Sequence, residues 1–225
     1  MKTWCLSAEA DADFVYHMED VLQVYQLPYD PERPVVCMDE ASKQLIGETR
    51  VPLPTEPGAP LREDYEYERF GVVNEFVFVE PLRGWRHVIV TDRRTKQDWA
   101  LCIQDLLDRQ FPDAKCVRLV LDNLNTHTGA ALYETFAPAE ARRLLDRLEF
   151  HYTPKHASWL NMAEIEIGVM NRQCLDRRIP EKGTVCHEVT AWEQRRNAEE
   201  AKIRWSFTVS AARVKLQRVY PSIEG

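Results

Sequence analysis

Two short apolar runs, each followed directly by an aspartate, constrain the fold of this 225-residue chain more than any other feature. Residues 35–38 (Val-Val-Cys-Met) precede Asp39, and residues 117–121 (Val-Arg-Leu-Val-Leu) precede Asp122. Short apolar runs of this kind are typical of buried strands in a sheet that is covered on both faces. Because helical patterns lie between and after them, we predict an α/β domain with a mixed sheet and flanking helices.

Local signals predict the remaining elements. An amphipathic helical pattern precedes Pro28, and two further helical patterns follow residue 181. Between them the sequence indicates a hairpin over residues 70–90, a helix that starts at Thr95, a helix that starts near Pro138, and a helix that Ser158 caps and that runs over residues 159–175. We therefore divide the chain into a leader or linker (1–33), a central α/β domain (34–180) and a helical C-terminal extension (181–225).

Composition limits the class of protein. With 44% hydrophobic and 29% charged residues, the chain is neither disordered nor fibrous. No run approaches the length of a membrane span, and the first residues lack the apolar core of a signal peptide, so we expect a cytoplasmic protein. Its six cysteines contain no CxxC pair, which favours reduced thiols and argues against zinc. Although the net charge is −7, bases outnumber acids between residues 142 and 218.

The two aspartates suggest the chemistry. Carboxylates at the ends of neighbouring strands can converge, and a helix that faces them can supply a third acid. On the helix after Ser158, Glu164 and Glu166 lie on opposite flanks of the apolar face, so that either could reach the cluster. Such a cluster repels itself unless it holds cations, which indicates Mg²⁺ or Mn²⁺. Two such ions could hold a phosphodiester, activate water and stabilise the leaving oxygen.

Three segments make a family resemblance visible. Residues 35–40 (Val-Val-Cys-Met-Asp-Glu), 119–127 (Leu-Val-Leu-Asp-Asn-Leu-Asn-Thr-His) and 153–164 (Thr-Pro-Lys-His-Ala-Ser-Trp-Leu-Asn-Met-Ala-Glu) together resemble the DDE transposase domain of the Tc/mariner superfamily. The bacterial insertion-sequence branch is the most similar. The resemblance covers roughly residues 30–220 and implies an RNase H-like mixed five-stranded sheet flanked by helices.

The resemblance also implies residue roles. Asp39, Asp122 and Glu164 match the three catalytic acids that hold two Mg²⁺ or Mn²⁺ ions, since Glu164 ends the family's L-N-x-x-E block. The accompanying residues near the site are Glu40, Asn123, His127 and Asn161. We name five candidates for contact with the DNA backbone: Lys155, His156, Arg172, Arg177 and Arg178.

The implied activity is metal-dependent cutting and joining of DNA strands at the ends of a mobile element. The expected partners are the element's ends, the target DNA and a second copy of the chain, with association with the bacterial nucleoid when DNA is bound. About 34 residues precede the first strand, too few for two helix-turn-helix domains, so we expect an upstream partner protein to supply them. Two alternatives stay open: an inactive or truncated remnant that binds DNA or a partner without strand transfer, and a nuclease that cuts without joining.

Overall fold

The computed structural model describes residues 12–221 and contains a five-stranded mixed sheet. Its strand order is β3-β2-β1-β4-β5. Strand β1 pairs antiparallel with β2 and parallel with β4, while β3 pairs antiparallel with β2 and β5 pairs parallel with β4. The strands are β1 (Val35–Glu48), β2 (Tyr67–Glu80), β3 (Trp85–Thr91), β4 (Val117–Leu121) and β5 (Leu148–Tyr152).

Helices cover both faces of this sheet. Two of them, α2 and α5, continue as single π-helical turns, over Leu106–Gln110 and Asn171–Leu175. The α-helices are α1 (Ala12–Val24), α2 (Lys96–Asp105), α3 (Gly129–Thr135), α4 (Pro138–Leu145), α5 (Met162–Met170), α6 (Lys182–Ala198) and α7 (Val209–Lys215). None of these helices has the length and apolar character needed to cross a membrane.

The sheet divides the interior into two hydrophobic cores, one on each of its faces. In β1, Val36 and Met38 pack with α2, α3 and α4, whereas Val35 and Cys37 pack with α1, α5, α6 and α7. Successive strand residues point to opposite faces, so one apolar run supplies both cores. The short apolar strands therefore lie at the centre of the domain, as their composition predicts.

Strand β1 is longer than the sequence indicates. The apolar run predicts a strand that ends at Asp39 and Glu40, but β1 continues to Glu48. The reason is its antiparallel partner, since residues 37–48 of β1 pair with residues 67–79 of β2. The parallel pairing with β4, in contrast, stops at Cys37 opposite Val120. Asp39 thus lies within a strand, but just beyond the point where its parallel neighbour ends.

The start of α5 also differs from the prediction. Residues 158–160 form a 3-10 turn, and the N-cap is Asn161 rather than Ser158. The side-chain Oδ1 of Asn161 accepts a hydrogen bond from the backbone N–H of Ala163 at 3.1 Å. In contrast, the helix predicted from Thr95 starts as expected, with the reciprocal bonds of a capping box between Thr95 and Asp98.

The predicted turn between β2 and β3 is present, and it depends on Gly84. This residue has φ +75°, and a Cβ there would lie 2.5 Å from the backbone of Glu200. Only glycine combines this conformation with such a close approach. The contact brings the segment after α6 against the β2–β3 hairpin.

The segments on either side of residues 34–180 share the core of the domain. Helix α1 buries Phe14, Met18 and Leu22 in it, and α6 buries Val189 and Trp192. The segment boundaries at 33/34 and 180/181 stay a prediction. Part of the predicted leader, residues 1–11, lies outside the described residues.

Helix α6 also covers the outer edge of β3. Its Asn197 side chain accepts from the backbone N–H of Arg86 and donates to the carbonyl of the same residue, both at 2.8 Å. One turn away, Glu193 accepts from the N–H of Val88 at 2.9 Å. Side chains thereby satisfy backbone groups that an edge strand would otherwise expose.

Candidate active site

Asp39 and Asp122 are neighbours across the sheet. The last parallel pair joins Cys37 of β1 to Val120 of β4; Asp39 lies two residues further along β1, and Asp122 lies two residues beyond Val120, directly after the end of β4. Adjacent strands are about 4.8 Å apart, and residues two positions apart share a face. Both aspartates are half-buried at this edge. The prediction that two strand-end carboxylates converge therefore has a direct basis in strand register.

Helix α5 brings the third carboxylate, and Asn161 fixes its place. Besides capping the helix, this buried side chain donates from Nδ2 to the carbonyl of Met38 at 2.8 Å. The start of α5 is thus tied to the peptide that precedes Asp39. Glu164 lies in the first turn of the helix and is exposed.

The charges of the three acids act on one another. Burial raises the pKa of Asp39 to about 7; the backbone N–H of Glu40 opposes this shift, while the negative charges of Asp122 and Glu164 add to it. Asp122 and Glu164 are therefore both near enough to Asp39 for their charges to act on it. We call Asp39, Asp122 and Glu164 the carboxylate site.

His127 links this site to Glu40 on the other side of the sheet. Its Nδ1 lies 2.5 Å from Oδ1 of Asp122, and its Nε2 lies 2.8 Å from Oε1 of Glu40. The ring is fully buried. Burial alone would lower the pKa of His127, but the hydrogen bonds to Asp122 and Glu40 outweigh it and raise that pKa to about 9. The two hydrogen bonds therefore favour the protonated form of the ring.

Glu166, the other candidate acid of α5, lies in quite different surroundings. It is 1% exposed; one oxygen accepts from Arg196 at 2.6 Å, and the other lies 3.3 Å from Nε of Arg86. Arg86 is itself fully buried, and burial lowers the pKa of its guanidinium while the charge of Glu166 opposes that shift. We call Glu166, Arg86 and Arg196 the arginine cluster. Glu166 is thus engaged in packing α5 against β3 and α6.

The donor set of the carboxylate site suits a hard divalent cation. Oxygen ligands are those that Mg²⁺ and Mn²⁺ prefer, and a cation would offset both the burial of Asp39, which is the main cause of its raised pKa, and the repulsion by Asp122 and Glu164 that adds to it. Within residues 12–221, no three His, Cys, Asp or Glu side chains stand close enough together to enclose an ion without moving. By chemistry and charge the residues fit the ion, and the exposed Glu164 is the ligand with room to adjust.

The five candidate DNA contacts divide into free and paired cations. Arg177 binds Glu188 at 2.6 Å, and Arg178 binds Glu48 at 2.6 Å as well as backbone carbonyls of the β1–β2 connection. In the described part of the chain, no ion pair involves Lys155, His156 or Arg172, all of which are exposed. These three remain available to an anionic ligand.

The candidates that remain lie around α5. Lys155 and His156 form the turn ahead of α5, where His156 has a left-handed backbone, φ +62°. The Arg172 guanidinium lies back over Gly168, one turn along the face that carries Glu164. Asn123 follows Asp122 and is exposed, with no side-chain hydrogen bond among the described residues.

Sequence reasoning missed the residues that support His127. Its ring stacks on the indole of Trp99 with centroids 5.8 Å apart, and the hydroxyl of Tyr152 donates to its carbonyl at 3.0 Å. The sequence pattern indicates Trp99 only as an apolar residue of its helix, and Tyr152 only as part of a short strand. Neither has a local signal for this role, because both reach His127 through tertiary packing.

Comparison with known proteins gives the family. Residues 34–186 match the profile of the DDE superfamily endonucleases, which is more than half of the chain. The chain belongs to this family. As a DDE superfamily endonuclease it carries the family's domain over both aspartate-bearing strands and helix α5. No protein with a curated description matches the sequence.

Solved structures confirm the predicted fold of this DDE superfamily endonuclease. The Mos1 mariner paired-end complex with Mn is similar over 89% of this chain and 60% of that chain, with 18% identity and a TM-score of 0.60. The Mos1 strand transfer complex is similar over 86% and 58%, with 13% identity and a TM-score of 0.57. The RNase H-like mixed sheet with flanking helices is thereby confirmed, and the chain spans about 60% of the Mos1 chain.

Proposed function

We propose that this chain is the catalytic domain of a Tc/mariner-type DNA transposase from the bacterial insertion-sequence branch. It cuts DNA strands at the ends of a mobile element and joins them to target DNA. The observation that carries the proposal is the family match over residues 34–186, which spans Asp39, Asp122 and Glu164; the strand register that brings the first two to one edge of the sheet supports it. The separation of 42 positions between Asp122 and Glu164 supports the bacterial branch.

In this proposal the three carboxylates hold Mg²⁺ or Mn²⁺, two ions per site. Bound ions of this kind supply an activated water at neutral pH and stabilise charge on the attacking and leaving oxygens. The chain's own contribution is placement. Strand register sets Asp39 beside Asp122, Asn161 ties α5 to β1 so that Glu164 faces them, and the free cations Lys155 and Arg172 bind the DNA backbone.

The proposed partners are the ends of the element, target DNA and a second copy of the chain. The similar Mos1 structures are described as paired-end and strand transfer complexes, which supports assembly on DNA. Reading a specific end requires contacts to base edges, usually from a helix in the major groove, so we also propose a helix-turn-helix partner that reads the ends. We assign catalysis to residues 34–180, with the leader 1–33 and the extension 181–225 flanking them.

A cleavage assay tests the proposal. The purified chain is incubated with Mn²⁺ and labelled duplexes that carry either an element end or a scrambled sequence. We expect weak nicking of both duplexes, lost to background in Asp39→Asn and Asp122→Asn, because phosphate contacts alone ignore sequence. Asp113→Asn, the same change at an exposed position, is the matched control. It should nick as well as the wild type.

The other outcomes of this assay separate the alternatives. A folded wild-type chain that cuts neither duplex at any Mn²⁺ concentration would identify an inactive remnant. Nicking without joined products, even after a helix-turn-helix partner is added, would identify a nuclease. A strong preference of the chain alone for the element end would show that it reads sequence without a partner.

A further inference from the structure

Glu40 and Asp39 are adjacent in β1 and therefore point to opposite faces of the sheet. Asp39 lies on the face of α5, whereas Glu40 meets His127 on the other. The Glu40 side chain is 7% exposed, and its Oε1 is 2.8 Å from Nε2 of His127. Glu40 is thus buried on the face opposite Asp39, and the side chain that it contacts there is His127.

The group that Glu40 contacts is the imidazole ring of His127, whose orientation is fixed by its neighbours. His127 is enclosed by Trp99, which stacks on its face at an interplanar angle of 27°, and by Tyr152, whose hydroxyl binds its carbonyl. Each of its nitrogens faces a carboxylate oxygen. Both nitrogens of the ring are therefore engaged by protein oxygens. Neither nitrogen is then free to ligate an ion or to take a proton from water.

We propose that Glu40 is a positioning residue, which acts through His127 to fix the carboxylate of Asp122. The bond from Nδ1 of His127 holds Oδ1 of Asp122 and thereby fixes the orientation of that carboxylate. Glu40 keeps the ring oriented by holding its far nitrogen. The inference rests on the proposed function in one respect, namely that Asp122 is an ion ligand.

Partners that orient a metal-binding side chain typically change metal affinity 10- to 100-fold when they are removed. We therefore expect Glu40→Ala to weaken Mn²⁺ binding about 10- to 100-fold. Glu40→Gln should bind nearly as well as the wild type, because its amide oxygen still accepts from His127. The matched control is Glu199→Ala, which removes an exposed glutamate. It should leave the affinity unchanged.

The experiment measures free Mn²⁺ by electron paramagnetic resonance during titration of the full chain, without DNA. Urea unfolding verifies that each variant is folded at the titration temperature. The double variant Glu40→Ala/His127→Asn is central, because Glu40 acts only through His127. Its affinity should be no lower than that of His127→Asn alone, which is the non-additivity expected of residues in one path.

Three results would overturn the inference. Wild-type affinity in Glu40→Ala, with affinity lost in Asp122→Asn, would leave the ion site intact and remove the role of Glu40. Independent, additive losses in the double variant would show that Glu40 acts by another path. Saturable Mn²⁺ binding that is absent in the wild type, or unchanged in Asp122→Asn, would overturn the proposed function itself and the inference with it.

Discussion

Two glutamates on helix α5, two residues apart, lie in opposite electrostatic surroundings. In the arginine cluster, the carboxylate of Glu166 lies between two guanidinium groups, and positive charge is in excess. In the carboxylate site, Glu164 is exposed, and its negative charge acts on Asp39 together with that of Asp122. Glu166 thus stabilises the fold through its arginine partners, whereas Glu164 lies where a bound cation would be favourable. The balance of neighbouring charges, rather than burial alone, distinguishes the two roles.

The largest effect on the free energy of unfolding should be seen when each of the two glutamates is replaced by glutamine in a separate variant. Glu166→Gln leaves the buried Arg86 without its counter-charge, and breaking a buried pair in this way costs about 3–5 kcal/mol. Glu164→Gln removes an exposed carboxylate and should change the free energy of unfolding by less than about 0.5 kcal/mol. Urea unfolding at pH 7 measures both. Equal losses would mean that the two surroundings do not differ as described.

Glu75 on β2 is in a third kind of surroundings, since it pairs with neither an arginine nor another carboxylate among the described residues. It is 1% exposed, and neither of its oxygens has a hydrogen-bond partner within the described chain. Burial raises its pKa from 4.5 to about 7, and the charge of Lys43 opposes that shift only in part. Since the folded-state pKa lies above the unfolded one, this acid costs stability as the pH rises from 4.5 to 7.

Replacement of Glu75 should therefore stabilise the protein, and only at higher pH. We expect Glu75→Gln to raise the free energy of unfolding by roughly 3 kcal/mol at pH 8, with little gain at pH 5. Unfolding of both proteins in urea at the two pH values gives the comparison, and the titration of Asp39 cancels because both proteins retain it. A gain that is equal at pH 5 and pH 8 would contradict the assigned cause.

Divalent ions should act on the carboxylate site and leave the arginine cluster unaffected. An ion at 100 times its dissociation constant stabilises the folded state by about 2.7 kcal/mol. We expect Mn²⁺ to raise the unfolding temperature of the wild type and to lose this effect in Asp39→Asn. Without the ion, Asp39→Asn should be at least as stable as the wild type, because it relieves repulsion. If Mn²⁺ stabilises Asp39→Asn equally, the ion binds elsewhere.

The smallest effect is expected for DNA binding by the surface cations, where the presence of an ion-pair partner again distinguishes two residues. Arg172 has no ion pair within residues 12–221, whereas Arg177 is bound to Glu188. Arg172→Ala should reduce the slope of log affinity for DNA against log salt by about one, since one phosphate contact is lost. Arg177→Ala should leave the slope unchanged. Fluorescence anisotropy with a scrambled duplex, at several salt concentrations, measures both.

The sequence predicts the sheet because its strands carry strong local signals. The runs that precede Asp39 and Asp122 are apolar on both faces, as central strands must be, so the sequence predicts strands whose terminal aspartates can converge; their positions as neighbours come from the register of β1 and β4. The length of β1 could not be predicted in this way. Its second half is stabilised by pairing with β2 rather than by its own composition, and so the strand passes through Asp39 to Glu48.

Helical periodicity does not identify the third acid of the carboxylate site. Helical spacing puts Glu164 and Glu166 on opposite flanks and does not choose between them, whereas the family motif favours Glu164. That choice stays a prediction, to which the structure adds a physical reason: Glu166 is engaged by arginines that lie 80 residues before it and 30 residues after it. No local pattern indicates that Arg86 is buried, because its partners come from distant segments.

Side chains of helix α6 take the place of a sixth strand at the outer edge of β3. Glu193 and Asn197 bind the outer backbone of β3 as a neighbouring strand would. The match to the family ends at residue 186, ahead of both of them. A fragment trimmed to that boundary would keep all three acids and still present a bare strand edge to other molecules. Its characteristic fault would be self-association into aggregates, which could be mistaken for a lack of catalytic power.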